Sequence, residues 1–228
     1  MEQVAQFFFD NVFTSDFFIN IDTTIYQFIE GFTTPALTGV MTTITHLGDT
    51  PGIVWFVLGI ILLIPKKTRK LGILMFAGLA FSSLINNVML KELLARPRPF
   101  IFAEKFPEFW EKVGYEYPGC LIDLSEKQLA GKSFSFPSGH TSTSIGAAFA
   151  LLLGCRKKQL LIGIPAFILS LAIGFSRIYV HIHYPTDVIG GAIVGIVAAV
   201  AIYFVFDLLV FKKAIPALER KINKKIID

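Results

Sequence analysis

Lysine and arginine are absent from the first fifty residues of this 228-residue chain, and charge is scarce throughout. Only 17% of residues are charged, against about 25% in an ordinary soluble domain. Leu71–Leu90 carries no charge at all, and none falls between Asp187 and Asp207. Such uncharged tracts argue against a soluble globule. The missing basic residues near the start also argue against a cleaved secretory signal, which needs a positive n-region. Two cysteines, Cys120 and Cys155, are too few for a disulfide scaffold and lack metal-site spacing. The topology below sets them at opposite ends of the molecule, so no disulfide joins them. There is no internal repeat, low-complexity tract or flexible linker, which leaves one domain over residues 1–228. No basic face interleaved with aromatics is present, so nucleic acid is not an expected partner.

What fills the chain is apolar: 54% of residues are hydrophobic and the mean hydropathy is +0.63. A bilayer core takes about 20 apolar residues per helix. Five stretches suit such helices, at 50–65, 71–90, 139–155, 159–176 and 188–206, and predict an all-α, polytopic membrane bundle. Residues 22–47 show helical spacing at Ile25, Phe28, Ile29 and Phe32, broken by Pro35. They are read as either a sixth span or an interfacial helix.

Basic residues orient the bundle. Lys66, Lys67, Arg69 and Lys70 follow the first span, Arg156 to Lys158 the third, and Lys212, Lys213, Arg220, Lys221, Lys224 and Lys225 the last. If the spans alternate, these fall on one side, which the positive-inside rule makes cytoplasmic, with the C-terminus. A long loop, 100–136, then lies outside. Its aromatics, Phe100, Phe102, Phe106, Phe109, Trp110, Tyr115 and Tyr117, suit an interfacial segment. It is read as a lip guiding lipid to a site, or equally as a loop resting on the membrane.

Three polar strings lie on that outer side. Pro137-Ser138-Gly139-His140 opens an apolar helix, where unpaired N–H groups and the helix dipole attract anions. Gly139 lets the backbone come close to such an anion. Lys91, with either Arg96 or Arg98, and Arg177 supply cations. An arginine fork suits phosphate oxygens, and lysine acts as a point charge. For Lys91 alone, a snorkelling anchor is the plain reading. His181 or His183 could be a nucleophile, and Asp187 could orient His183 by fixing its tautomer. His140 could then act as general acid and base. His140, His181, His183 and Asp187 could instead ligate zinc, but three cations at one place favour an oxyanion. His46 lies outside the strings and is read as structural or interfacial.

Together the strings resemble the type 2 phosphatidic acid phosphatase family, which includes bacterial acid phosphatases and vanadium haloperoxidases. The family pattern is Lys-x6-Arg-Pro, Pro-Ser-Gly-His and Ser-Arg-x5-His-x3-Asp. It is matched at Lys91, Arg98 and Pro99, at Pro137 to His140, and at Ser176, Arg177, His183 and Asp187. The register selects Arg98 over Arg96 and His183 over His181. The resemblance implies a phosphohistidine on His183, Asp187 orienting it, and His140 as acid then base. It further implies that Lys91, Arg98, Arg177, Ser138 and Gly139 hold the phosphoryl group, with no metal and no cofactor. A membrane lipid phosphate such as undecaprenyl diphosphate, phosphatidylglycerol phosphate or phosphatidate is the implied substrate, met on the extracytoplasmic face of the cell membrane. A phosphotransferase and a non-catalytic lipid-phosphate transporter are the alternatives.

Overall fold

The computed structural model describes residues 2–49, 52–124 and 133–206. Those residues form helices and connecting turns, with no strand among them. A short helix α1 (Glu2–Phe8) and a π-helical turn lead into α2 (Asp16–Glu30) and α3 (Pro35–Leu47). Then come α4 (Ile53–Leu63) and α5 (Arg69–Ser83), which runs on through a π-helical segment, Leu84–Leu90, into the single turn α6 (Lys91–Leu94). Then follow α7 (Pro99–Lys105) and α8 (Pro107–Val113), and after them α9 (Gly139–Gly154), α10 (Leu160–Tyr179) and α11 (Pro185–Ile202).

Helix α9 is the hub, packed against α5, α10 and α11. Apolar side chains gain nothing by leaving lipid for a protein interior, so helices in a bilayer associate through close packing of small residues. The hub follows that rule. Gly146, Ala147, Ala148 and Ala150 are buried. A Cβ on Gly78 of α5 would lie only 2.3 Å from the Gly146 carbonyl oxygen. A long polar tie reaches α9 from α4: Trp55 Nε1 donates to Ser144 Oγ at 2.8 Å. Outward-facing residues such as Phe56, Ile60, Ile168, Leu171, Ile193 and Val197 are large, apolar and exposed, the surface a lipid-facing bundle presents.

Helices occupy all five stretches expected to span. Among the described residues, three are long and apolar enough to cross a membrane: Arg69–Lys105, Lys157–Tyr179 and Pro185–Phe206. Ile53–Leu63 is a shorter apolar helix of 11 residues, and α9 has 16. The turns after α4 and α9 meet, with Gln159 Nε2 donating to the Lys67 carbonyl at 3.1 Å. The basic clusters at 66–70 and 156–158 therefore share one end of the bundle. Residues 207–228, with the C-terminal basic residues, lie outside the described residues.

Pro35 does not merely break a run: it is the first residue of α3, whose cap is Thr34, with Oγ1 accepting from the Leu37 N–H at 3.3 Å. Helix α2 buries Asp22, Tyr26 and Ile29 against the bundle. The loop at 100–136 differs from the expectation. Phe102, Trp110 and Tyr115 are buried and form a core with Tyr26, Tyr179 and Tyr184. These aromatics carry a large apolar payload, and the loop spends it on its own packing. Cys120 and Cys155 are both free thiols.

Candidate active site

Helix ends bring the three strings together. Lys91 follows the π-helical segment that ends α5, and Arg98 caps α7, whose first residue is Pro99. Ser138 caps α9, Arg177 lies in the last turn of α10, and Asp187 in the first turn of α11. Because α5, α9, α10 and α11 alternate in direction, all of these termini meet at one end of the bundle, opposite the basic turns. There they surround an open cavity of about 640 Å³, lined by Lys91, Arg98, Gly139, His140 and Arg177, and also by His46 and Asp49.

His183 and Asp187 are fully buried beside this cavity and do not line it. His183 Nε2 is 3.3 Å from Arg98 Nη1, and Nδ1 is 3.3 Å from Asp187 Oδ2. A guanidinium can only donate, so Nε2 is the acceptor and Nδ1 carries the proton given to Asp187. Burial, reinforced by the Arg98 charge, holds the imidazole pKa well below its ordinary value, and the nearby Asp187 only partly opposes this. His183 is thus a neutral imidazole whose lone pair points at Arg98.

Asp187 is itself held firmly. Its Oδ2 accepts from the Tyr184 N–H at 2.9 Å and from the Ser135 hydroxyl. Its Oδ1 accepts from Arg96 Nη1 at 2.7 Å, and Arg96 Nη2 donates to Asp22 Oδ2 at 2.7 Å. Arg96, passed over by the motif, is therefore a buried structural cation between two carboxylates. His181 also stands apart from the cavity. It is buried against the Tyr26 ring, with centroids 4.9 Å apart, and its Nε2 is 3.3 Å from Glu30 Oε1.

The cations differ in how far they are satisfied. Arg98 donates to the Ile182 carbonyl at 3.1 Å and to Ser133 Oγ at 2.9 Å. Arg177 Nη1 donates to Thr45 Oγ1 at 2.9 Å, while its buried Nε has no partner among the described residues. A Cβ placed on Gly139 would stand 2.8 Å from Asn87 Oδ1 and 3.5 Å from Lys91 Nζ, so the ammonium lies against the start of α9. Ser138 departs from expectation. Its N–H donates to the Asp187 carbonyl at 2.9 Å and its Oγ accepts from Thr141 at 2.9 Å. The anion-seeking N–H groups of this helix start are accordingly those of Gly139, His140 and Thr141, which have no carbonyl one turn behind them.

His140 brings in a residue that no motif names. Its Nε2 is 3.0 Å from Asp49 Oδ1, and Asp49 Oδ2 is 2.6 Å from His46 Nδ1. Desolvation pushes the Asp49 carboxyl up, but hydrogen bonds from His140 and His46 outweigh it and hold the pKa down at about 2. Asp49, Ser135, Arg96 and Asp22 are the site's neighbours that sequence reasoning missed or set aside. The only sequence signal is that polar residues occupy otherwise apolar segments. Among the described residues, no group of three or more His, Cys, Asp or Glu is arranged to hold a metal.

Residues 71–210 match the family model described as the PAP2 superfamily. The chain is 28% identical over 177 residues to an undecaprenyl-diphosphatase of Sulfolobus acidocaldarius, covering 78% of this chain and 74% of that protein. It is 32% identical over 175 residues to phosphatidylglycerophosphatase B of Bacillus subtilis, covering 71% of each. Its fold is similar to the crystal structure of a transmembrane PAP2 type phosphatidylglycerolphosphate phosphatase from Bacillus subtilis. The TM-score there is 0.64 at 23% identity, over 91% of this chain and 96% of that one.

Proposed function

The chain belongs to the PAP2 superfamily of phosphatases, and on that premise we propose that it hydrolyses a membrane lipid phosphate or diphosphate through a phosphohistidine, without a metal. The observation that carries this reading is His183, a neutral imidazole with Nδ1–H tied to Asp187 and its Nε2 lone pair turned to Arg98, which lines a cationic cavity.

In the proposed sequence the phosphoryl oxygens enter among Lys91, Arg98, Arg177 and the free N–H groups at the start of α9. Arg98 turns its Nη1 from His183 to a phosphoryl oxygen, which releases the Nε2 lone pair. Nε2 then bonds to phosphorus as the phosphorus–oxygen bond to the leaving group breaks. His140 gives that oxygen its proton. Water next attacks phosphorus, its proton passes to His140, the phosphorus–nitrogen bond breaks and inorganic phosphate departs. Throughout, Asp187 stabilises the charge that builds on His183 and keeps its tautomer. The Nε of buried Arg177, which has no partner among the described residues, supports an anionic ligand, because an unsatisfied buried donor costs stability until something accepts from it.

The relatives' names point to the lipid class: undecaprenyl diphosphate and phosphatidylglycerol phosphate. Basic turns opposite the cavity support an extracytoplasmic site and five spanning helices, α4, α5, α9, α10 and α11, with a cytoplasmic C-terminus. The test is phosphate release by purified protein from a panel of isoprenoid and glycerolipid phosphates. Wild type should release phosphate in the presence of EDTA, and His183→Ala should release none. Full activity in the alanine variant would sink the assignment.

A further inference from the structure

Asp49 has no place in the motifs, yet it is the carboxylate bonded to His140. We infer that Asp49 is a positioning residue for His140, so that the site holds two carboxylate–imidazole pairs: Asp187 with His183, and Asp49 with His140. The inference rests on the phosphatase reading given above, in which His140 moves the proton.

Three observations carry it. The first is the bond itself. A carboxylate only accepts, so the 3.0 Å contact between His140 Nε2 and Asp49 Oδ1 puts the proton on Nε2 and leaves Nδ1 as the nitrogen available to a leaving group or water. The second is that the carboxylate is held. Its other oxygen accepts a hydrogen bond from His46 Nδ1–H at 2.6 Å, and Arg177 Nη1 lies 3.7 Å from Oδ1. Of the two carboxylates lining the cavity among the described residues, Asp49 and Asp123, Asp49 is the one bonded to the imidazole. The third is steric. A Cβ on Gly48 would fall 2.8 Å from Ile173 Cγ2 and 3.0 Å from His140 Cδ2, so this segment is packed closely against the imidazole. Glycine at 48 is what allows the close approach.

The chemistry needs such a partner. To protonate a leaving oxygen, His140 must pass through its imidazolium form in a cavity that already holds Lys91 and Arg177. A fixed carboxylate balances that charge and sets which nitrogen faces the substrate, as Asp187 does for His183. Asp49 takes no proton itself. His140 gives one to the leaving oxygen and recovers one from water, and Asp49 stays ionised in both steps.

The test compares wild type, Asp49→Asn and Asp49→Ala in the phosphate-release assay and by nitrogen-15 NMR of histidine-labelled protein in detergent. General acid–base catalysis is worth about 10²–10⁴-fold, and loss of its orienting partner should forfeit part of that. Asp49→Asn should lower kcat by about 10–100-fold with KM within about threefold. The Nε2–H tautomer of His140 should give way to a mixture. A carboxylate serving only the fold would change the melting temperature and leave the tautomer as it was. Unchanged kcat, or an unchanged His140 tautomer in the alanine variant, overturns the inference. Should His183→Ala retain phosphate release, the phosphatase reading fails instead, while the tautomer still decides whether Asp49 positions His140.

Discussion

Arg96 Nη1 donates to Asp187 Oδ1 at 2.7 Å, from a position where both side chains are almost wholly shielded from solvent. The same guanidinium reaches Asp22 Oδ2 and lies 3.7 Å from the centre of the Tyr184 ring. One buried cation therefore joins α2 to the first turn of α11 and sets the carboxylate that faces His183. Removing one partner of a buried ion pair leaves a charge without compensation, at a cost of about 3–5 kcal/mol. Arg96→Met should lower stability by that order in a thermal or denaturant melt. Arg96→Lys should lose the shared fork and recover only part of it.

Gly139→Ala separates the site from the fold. The new methyl would meet Asn87 Oδ1 at 2.8 Å and stand 3.5 Å from Lys91 Nζ. These are ends of flexible side chains and can move, and alanine favours a helix, so the melting temperature should hold. The Asn87 amide, however, must move aside, and the methyl fills the space beside the Lys91 ammonium where a phosphoryl oxygen would approach the start of α9. Misplacing a binding group by about 1 Å can cost about 10²-fold, so kcat/KM should fall by about 10–100-fold.

The strings were legible because motif register is a property of nearby residues. Asp187 is four residues from His183, and Pro185 opens α11 so that the carboxylate turns back to the ring. Helix ends were legible from uncharged tracts meeting polar strings, and the common end of Lys66–Lys70 and Arg156–Lys158 from the alternation of spans. The partners of the strings were not legible in this way. Asp49 meets His140 across 91 positions, Asp22 meets Thr186 across 164, and Ser135 meets Asp187 across 52. Such pairings follow from how α2, α3 and α11 pack, which no local spacing encodes. The outer-loop aromatics misled for a related reason: composition cannot say whether Trp110 rests on lipid or on Tyr184.

Acid should destabilise the fold in two separable ranges. Burial depresses the pKa of His183 below 6.5, and that of His181 likewise, with Glu30 opposing in the latter case. A histidine so depressed is protonated more readily in the unfolded chain. Unfolding then takes up protons, and stability is lost as pH falls below about 6.5, by at most about 1.4 kcal/mol per pH unit for each group. Asp49, held at about 2 against an ordinary 3.8, adds a further loss only between those two values. Melting temperature against pH should decline from near 6.5. In His183→Asn the decline should be shallower, and in Asp49→Asn only the part below about pH 4 should change. A flat profile from pH 7 to 5 would show that these histidines do not resist protonation.

The cavity should bind a phosphate mimic through the arginine forks rather than through net charge. Arg177 offers a buried Nε with no partner among the described residues, so an oxyanion there gains a charge-assisted bond at little reorganisation cost. Arg98 differs in already donating to Ser133 and Ile182, and must give up one of those bonds or its contact with His183 to bind. A hydrogen bond to a charged group is worth about 1.5–3 kcal/mol, or about 10–100-fold in affinity. Arg177→Lys keeps the charge and removes the fork, so inhibition by orthovanadate should weaken by that factor. Lys112→Gln, which removes an exposed charge on α8, should leave inhibition unchanged. Equal weakening in both variants would mean that the anion is drawn by the general field of that end of the bundle. Loss confined to Arg177→Lys would locate its recognition in the geometry of the guanidinium.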